Sequence, residues 1–278
     1  MIARTLALAA ALGVASLAWQ PAQAQVHVVS TKTEKVGKGS ANAYVTMTNK
    51  GVPIALGVSF NKGALDGLPT DMNPTNRCFN GKCLGDYDYD FALQGEAAKA
   101  VSPFAWIMLN WNPHGHGQPA PPPWAEPHFD IHFYIADRAA IRGLKTGTCG
   151  EMIDCEDFKR ATKPVPGAYT HGDYISVDAA VPAMGNHLID TKSPELQPGG
   201  PKFTATFIYG ALDGHVAFYE PMITLAYLRS NPNKCETIKQ PAAFEFAGHY
   251  PTKYCVRHTA RTGKTTVSIE GFVKRTKG

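Results

Sequence analysis

Several motifs of common enzyme classes are absent from this 278-residue sequence. It has no Gly-x-Ser-x-Gly turn, no Gly-x-Gly-x-x-Gly loop and no Walker loop, so neither a serine-nucleophile elbow nor a nucleotide cradle is indicated. Lysine and arginine form no run, and the formal net charge is only +4. Nucleic acid, which needs a basic surface, is therefore not an expected partner. Beyond the N-terminus, no apolar run is long enough to predict a membrane span.

The N-terminus has the three parts of a secretory signal peptide. Arg4 supplies the positive charge, Leu6–Ala18 is an apolar run too short to span a bilayer, and Ala22-Gln23-Ala24 provides small residues for cleavage. We predict cleavage near Ala24 and a mature chain in the periplasm or outside the cell. The expected organisation is a signal peptide over 1–24, a β domain over 25–230, and a C-terminal β-hairpin extension over 231–278 packed on that domain.

All six cysteines lie after the expected cleavage position. An even number in an exported protein predicts disulfides, and six cysteines allow 15 connectivities. Pairing between sequence neighbours is favoured, because each such pair encloses a polar or glycine-containing segment. The predicted pairs are Cys78–Cys83, Cys149–Cys155 and Cys235–Cys255. A thiolate metal site is the alternative, although no spacing is Cys-x-x-Cys.

Short alternating segments separated by turn residues predict a mainly β fold. The expected architecture is an antiparallel sandwich or barrel with a few short helices. Turns join the expected hairpin strands. The predicted strands are 42–48, 53–60, 104–111, 128–135, 203–209, 215–220, 253–259 and 265–273. Helices are expected over 137–144, with Asp137 as the cap, and from Pro221 to about Arg229.

The predicted strand from His128 to Ile135 has one polar face. His128, Asp130 and His132 alternate with apolar residues and therefore project to the same side. Imidazole and carboxylate ligands suit Zn and other first-row divalent ions. If the sheet curves, these side chains could converge on one ion, with His116 arriving from the preceding Pro/Gly-rich loop. A solvated strand face and a buried hydrogen-bonded network remain the alternatives.

Three later residues could complete such a site. His187 lies in a turn-like segment that begins at Pro182. Asp190 follows three residues later and is more simply explained as a turn residue that bonds its own backbone. Glu220 shares a predicted strand face with apolar Val216 and Phe218, where a carboxylate is costly unless it is paired, protonated or bound to a cation. Glu220 is thus a candidate ligand or general base. Alternatively, His187 bonds its own turn, and Glu220 caps the helix that Pro221 opens.

The motifs together resemble a known family. They are Trp111-Asn112-Pro113-His114-Gly115-His116, Pro127-His128-Phe129-Asp130-Ile131-His132-Phe133-Tyr134, Met184-Gly185-Asn186-His187 and Glu220-Pro221-Met222. Over about residues 40–230 the chain resembles the DUF5602 family of exported bacterial proteins, which has no established activity. The resemblance implies a shared fold and site at His116, His128, Asp130, His132, His187 and Glu220. Where the family pattern leads us to expect Glu-Pro after Gly-His, this chain has Gly117-Gln118-Pro119, so Glu126 could substitute.

Three functions remain open at this point. The first is a protein that binds a divalent metal, with Zn favoured, or a small ligand. The second is a metal-dependent hydrolase or lyase, in which His128, His132 and His187 hold the ion and Glu220 or Asp130 acts as base or fourth ligand. Its pocket would be walled by Trp111, Trp124 and Tyr134. The third is a structural envelope protein, possible as a homo-oligomer, in which the histidines and Glu220 form a buried polar network.

Overall fold

Two antiparallel sheets of seven strands each form the body of the fold, in a computed structural model that describes residues 25–116 and 123–278. The expected signal peptide and the Gly117-Gln118-Pro119 departure lie outside the described residues. The strands are β1 (Val26–Ser30), β2 (Glu34–Val36), β3 (Gly39–Thr48), β4 (Pro53–Phe60), β5 (Cys78–Phe79), β6 (Lys82–Cys83), β7 (Tyr87–Ala92), β8 (Trp106–Asn112), β9 (His128–Tyr134), β10 (Thr146–Cys149), β11 (Tyr174–Val181), β12 (Gly185–Asp190), β13 (Ala205–Leu212), β14 (His215–Thr224), β15 (Asn233–Thr237), β16 (Gly248–Tyr250), β17 (Lys253–Thr259), β18 (Lys264–Glu270) and β19 (Val273–Arg275). The α-helices are α1 (Gly95–Ala100), α2 (Arg138–Arg142), α3 (Cys155–Ala161) and α4 (Leu225–Arg229).

The two sheets differ in which parts of the chain they use. The first sheet has the order β1-β3-β4-β18-β17-β15, with β2 paired to β3, and the second has the order β11-β12-β13-β14-β9-β8-β7. The predicted mainly β, antiparallel fold with few helices is confirmed. Strands β17 and β18, from the expected C-terminal extension, enter the first sheet directly, because β18 pairs with β4.

One helix begins later in the chain than the sequence predicted. Pro221 lies inside β14, where it pairs with Phe207 of β13, and α4 begins only at Leu225, with Thr224 as its cap. The ladder between β14 and β9 has Tyr219 and Met222 as pairs but not Pro221. A proline without an N–H is tolerated where a ladder is interrupted. The cap of α2 is confirmed, since the Asp137 carboxylate accepts from two helix N–H groups.

All three predicted disulfides are present, at Cys78–Cys83, Cys149–Cys155 and Cys235–Cys255. Every cysteine of the chain is among the described residues, and none is free. The alternative of a thiolate metal site is therefore wrong. Within residues 25–116 and 123–278, no helix has the length and apolar character that a membrane crossing requires.

The two faces of the second sheet have different surroundings. On β8 and β9, the apolar residues of the alternating pattern join the core between the sheets, where Phe129 packs against Phe60 of β4 with ring centroids 5.1 Å apart. The polar residues of β9 point away from that core. They are nevertheless buried, because α2, α3 and the connecting loops cover this outer face with two smaller apolar clusters. The fold thus places histidines and carboxylates in a covered layer outside the main core.

Candidate metal centre

Six residues on the outer face of the second sheet form two groups of three. We call His132, His187 and Glu220 the inner triad, and His116, His128 and Asp130 the outer triad. In each triad, one ligand atom from each residue lies within 4.8 Å of the other two. The six residues are those that the sequence singled out, and each triad offers two imidazoles and one carboxylate.

The sequence predicted that His128, His132 and His187 would hold one ion, but the structure does not bring these three residues together. His128 and His132 are four residues apart on β9, which separates their backbones by about 13 Å at roughly 3.3 Å per residue. Sheet curvature does not overcome that distance. Each histidine instead finds its partners on a neighbouring strand or loop, so His128 belongs to one triad and His132 to the other.

The inner triad is assembled by three strands of one sheet. Phe218 pairs with Tyr134 and Met222 with Asp130, so Glu220, midway along that stretch of β14, lies opposite His132 of β9. The Glu220 Oε2 atom lies 3.4 Å from His132 Nε2 and 3.6 Å from His187 Nε2. The side chains of Glu220 and His132 are buried, at 1% and 0% exposure, and that of His187 is partly buried, at 12%.

Two expectations about these residues are corrected by the strand assignments. His187 lies in β12, not in a turn, and pairs with Gly210 of β13. Glu220 lies in the interior of β14 and does not cap α4. Gly210 is required here, because a Cβ atom on it would lie 2.0 Å from the Phe218 ring. That ring packs against both His132 and His187, at centroid distances of 4.8 and 5.3 Å.

Several buried atoms of the inner triad have no hydrogen-bond partner among the described residues. They are Nδ1 and Nε2 of His132 and Oε2 of Glu220. The His187 ring is oriented by its Nδ1, which lies 2.8 Å from the Ala179 carbonyl oxygen. A carbonyl only accepts, so Nδ1 carries the proton and the Nε2 of a neutral ring presents a lone pair towards Glu220. A metal-ligating histidine is held in the same way.

Burial also determines the charge state of the inner triad. Burial, followed by the charge of Asp130, raises the pKa of Glu220 well above its usual range. Burial lowers the pKa of His187 to about 4, and burial together with the neighbouring His187 lowers the pKa of His132 well below its usual range. Both imidazoles are therefore neutral near pH 7, which is the form that binds a metal. A divalent ion would also favour the ionised form of Glu220.

The outer triad combines two strand residues with one loop residue. Asp130 Oδ1 lies 3.0 Å from His128 Nε2, and Asp130 Oδ2 lies 3.3 Å from His116 Nε2. The amide of Asn112 donates to Asp130 Oδ2 at 2.7 Å, and His128 Nδ1 lies 2.6 Å from the Glu126 carbonyl oxygen. His128 and Asp130 are buried, whereas the His116 side chain is 42% exposed.

The carboxylate of the outer triad is held in its ionised form. Burial alone would raise the pKa of Asp130, but the positive charges that His128 and His116 can carry lower it well below its usual range. Burial lowers the pKa of His116, yet the charge of Asp130 and its hydrogen bond raise it overall. The outer triad therefore places an ionised carboxylate between two imidazoles.

A clamp on the turn before His187 was not predicted from the sequence. Three side chains from separate elements donate to three successive carbonyls of this turn. The pairs are Arg77 Nε to Pro182 at 2.8 Å, Arg142 Nη1 to Ala183 at 3.4 Å and Tyr134 Oη to Met184 at 2.9 Å. Because the turn leads directly into β12, the clamp positions His187.

The clamp had a visible sequence signal. Asp86, Asp88 and Asp90 alternate with tyrosines just as the polar residues of β9 alternate with apolar ones. The buried Arg77 binds Asp86 and Asp88 at 2.5 and 2.7 Å, and Arg142 binds Asp88 and Asp90. An acidic face on a strand predicts cationic partners, but the sequence alone does not say which arginines supply them.

Other expected site residues lie elsewhere. Trp111 faces the core between the sheets, because it alternates along β8 with the outward-facing Asn112. Its indole N–H donates to the Pro69 carbonyl. Trp124 belongs to the small cluster next to Phe203, on the same outer face as the triads. The Glu126 carboxylate binds Lys202 at 2.8 Å and is not part of either triad.

No family model, curated protein or solved structure matches this chain. The resemblance to the DUF5602 family therefore stays a prediction that depends on the quoted motifs.

Proposed function

We propose that this chain is an exported protein that binds a divalent metal ion at the inner triad. Two imidazoles and one carboxylate form a donor set that Zn²⁺ uses in proteins, and it also suits other first-row ions. Export agrees with the three disulfides and with the signal-like N-terminus. The periplasm or the extracellular medium is the proposed location.

The observation that carries this proposal is the set of unpaired buried atoms in the inner triad. A structural polar network would pair its buried atoms, because each unsatisfied group costs about 1–3 kcal/mol. Here His132 has two unpaired nitrogens and Glu220 one unpaired oxygen among the residues the structure describes. One cation between His132, His187 and Glu220 would engage an atom from each residue.

The decisive variant is Glu220→Gln. It keeps the shape of a protonated Glu220 but cannot supply a carboxylate to an ion. If the inner triad is a metal site, Zn²⁺ affinity falls at least about 100-fold, since even outer-sphere partners of a metal ligand contribute 10–100-fold. The free energy of unfolding of the metal-free protein should stay the same or increase, because a buried ionisable group is removed.

Titration calorimetry with Zn²⁺ on tag-free, chelator-treated protein measures the affinity, and denaturant unfolding measures the stability. The matched control is His215→Asn, which breaks a surface pair in which His215 Nδ1 lies 2.5 Å from Glu245. Loss of stability in Glu220→Gln without any change in Zn²⁺ affinity would instead identify a structural network and overturn the proposal.

A further inference from the structure

We propose that the outer triad holds a second divalent ion, separate from the inner one and exchanging more readily with solvent. This proposal rests on the proposed function in one respect only, since both triads are assigned the same class of ligand. The outer triad has its own evidence, which comes from its unpaired atoms, its spacing and its exposure.

The first observation is a close contact that is not a hydrogen bond. His128 Nε2 and Asp130 Oδ1 are 3.0 Å apart, yet neither atom has a hydrogen-bond partner within the described ranges. The other ring nitrogen of His128 is already committed to the Glu126 carbonyl. A buried lone pair beside a buried carboxylate oxygen is the arrangement that a shared cation stabilises.

The second observation is that the triads share no residue. Asp130 and His132 are neighbours on one face of β9, so their backbones are about 6.5–7 Å apart. In two-metal catalytic sites the ions are closer, at about 3.5–4 Å. The structure therefore favours two mononuclear sites side by side and not one bridged pair.

The third observation is the difference in access. His116 is 42% exposed, whereas Glu220 of the inner triad is only 1% exposed. His116 is also carried by a loop, which is held to the following segment by its backbone N–H donating to Trp124 at 2.9 Å. A ligand at the surface on a loop can leave the ion without opening the sheet, so the outer ion is the one that exchanges first.

The number of ions bound to each chain tests this inference. Chelator-treated, tag-free protein is dialysed against Zn²⁺, and the bound metal is counted by elemental analysis and titration. Wild type should bind two ions with different affinities. His116→Asn should lower the affinity of the weaker ion at least about tenfold and leave the tighter ion unchanged.

Two further variants complete the design. His114→Asn is the matched control, because His114 is an exposed histidine on the same loop and is in neither triad. Asp130→Asn removes the outer carboxylate and should reduce the number of bound ions to one. Should it fail to fold, the surface variant His116→Asn still decides the question.

Three results would overturn the inference, and they can be told apart. A single ion that is lost in Glu220→Gln but kept in His116→Asn would refute the outer site and leave the proposed function intact. No bound ion in wild type would refute both. Two ions of which neither responds to His116→Asn or Asp130→Asn would show that the second ion binds elsewhere.

Discussion

The inner and outer triads use the same donors, yet the fold holds them differently. Both include a histidine of β9 and one carboxylate. In each triad, a backbone carbonyl also contacts the Nδ1 atom of one histidine, His128 in the outer triad and His187 in the inner one. The inner triad takes all its members from strands of one sheet, whereas the outer triad takes His116 from a loop. If both triads bind an ion, the element that carries one residue of each triad would make the inner site tight and the outer site exchangeable.

The surroundings reinforce the difference. The inner imidazoles pack against Phe218, and the turn before His187 is fixed by three side-chain donors. The outer triad has one supporting amide on Asp130, from Asn112. Preorganised ligands lose less freedom when an ion binds, so we expect the inner site to be the tighter one.

The variant with the most different effects on Zn²⁺ affinity at the two triads should be His187→Asn. This change removes one imidazole of the inner triad, and His187 is not a member of the outer triad. We expect the affinity of the tighter Zn²⁺ ion to fall at least about 100-fold and that of the weaker ion to stay within error. Calorimetric titration would measure both. An equal loss of Zn²⁺ affinity at both sites would mean that the triads act as one centre and not as two separate sites.

A smaller fall in affinity, this time at the outer triad, is expected from Gly115→Ala. Gly115 has φ +63°, and an added Cβ would lie 2.3 Å from the Trp124 carbonyl oxygen. The loop must move, and His116 moves with it, so the affinity of the outer ion should fall by about 10–100-fold. The inner ion should be unaffected. An unchanged weaker site in the same titration would show that His116 does not need this loop geometry.

The smallest of the three effects is expected from Arg77→Lys. Lysine keeps the positive charge beside Asp86 but cannot also donate to the Pro182 carbonyl in the fixed geometry of a guanidinium. We expect the inner affinity to fall by about tenfold, with the outer affinity unchanged. The control is Arg160→Lys, which alters a more exposed pair with Asp213. Equal weakening of both sites would point to a general loss of stability, which denaturant unfolding would reveal.

The sequence predicted the parts of the fold that depend on local patterns. The polar face of β9 followed from a period of two, and the three disulfides followed from cysteine proximity along the chain. The strand containing His187 was missed, because the preceding Pro182 and Gly185 are turn residues and β12 is short. The interior position of Glu220 was left open, because Pro221 suggested a helix start.

The partition into two triads could not be predicted from the sequence. It depends on which strands flank β9, and that order results from long-range pairing of β8 and β14 with it. The register that brings Glu220 opposite His132 is likewise a property of the assembled sheet. The clamp by Arg77 has the same origin, since it joins residues 105 positions apart.

Anomalous diffraction at the zinc absorption edge would locate each bound ion in crystals of the tag-free protein soaked in Zn²⁺. We predict two peaks: a strong one bonded to His132, His187 and Glu220 at about 2.0–2.2 Å, and a weaker one bonded to His116, His128 and Asp130. The absence of a peak between His132, His187 and Glu220, with the rings hydrogen-bonded to ordered water, would show that the inner triad is not a metal site.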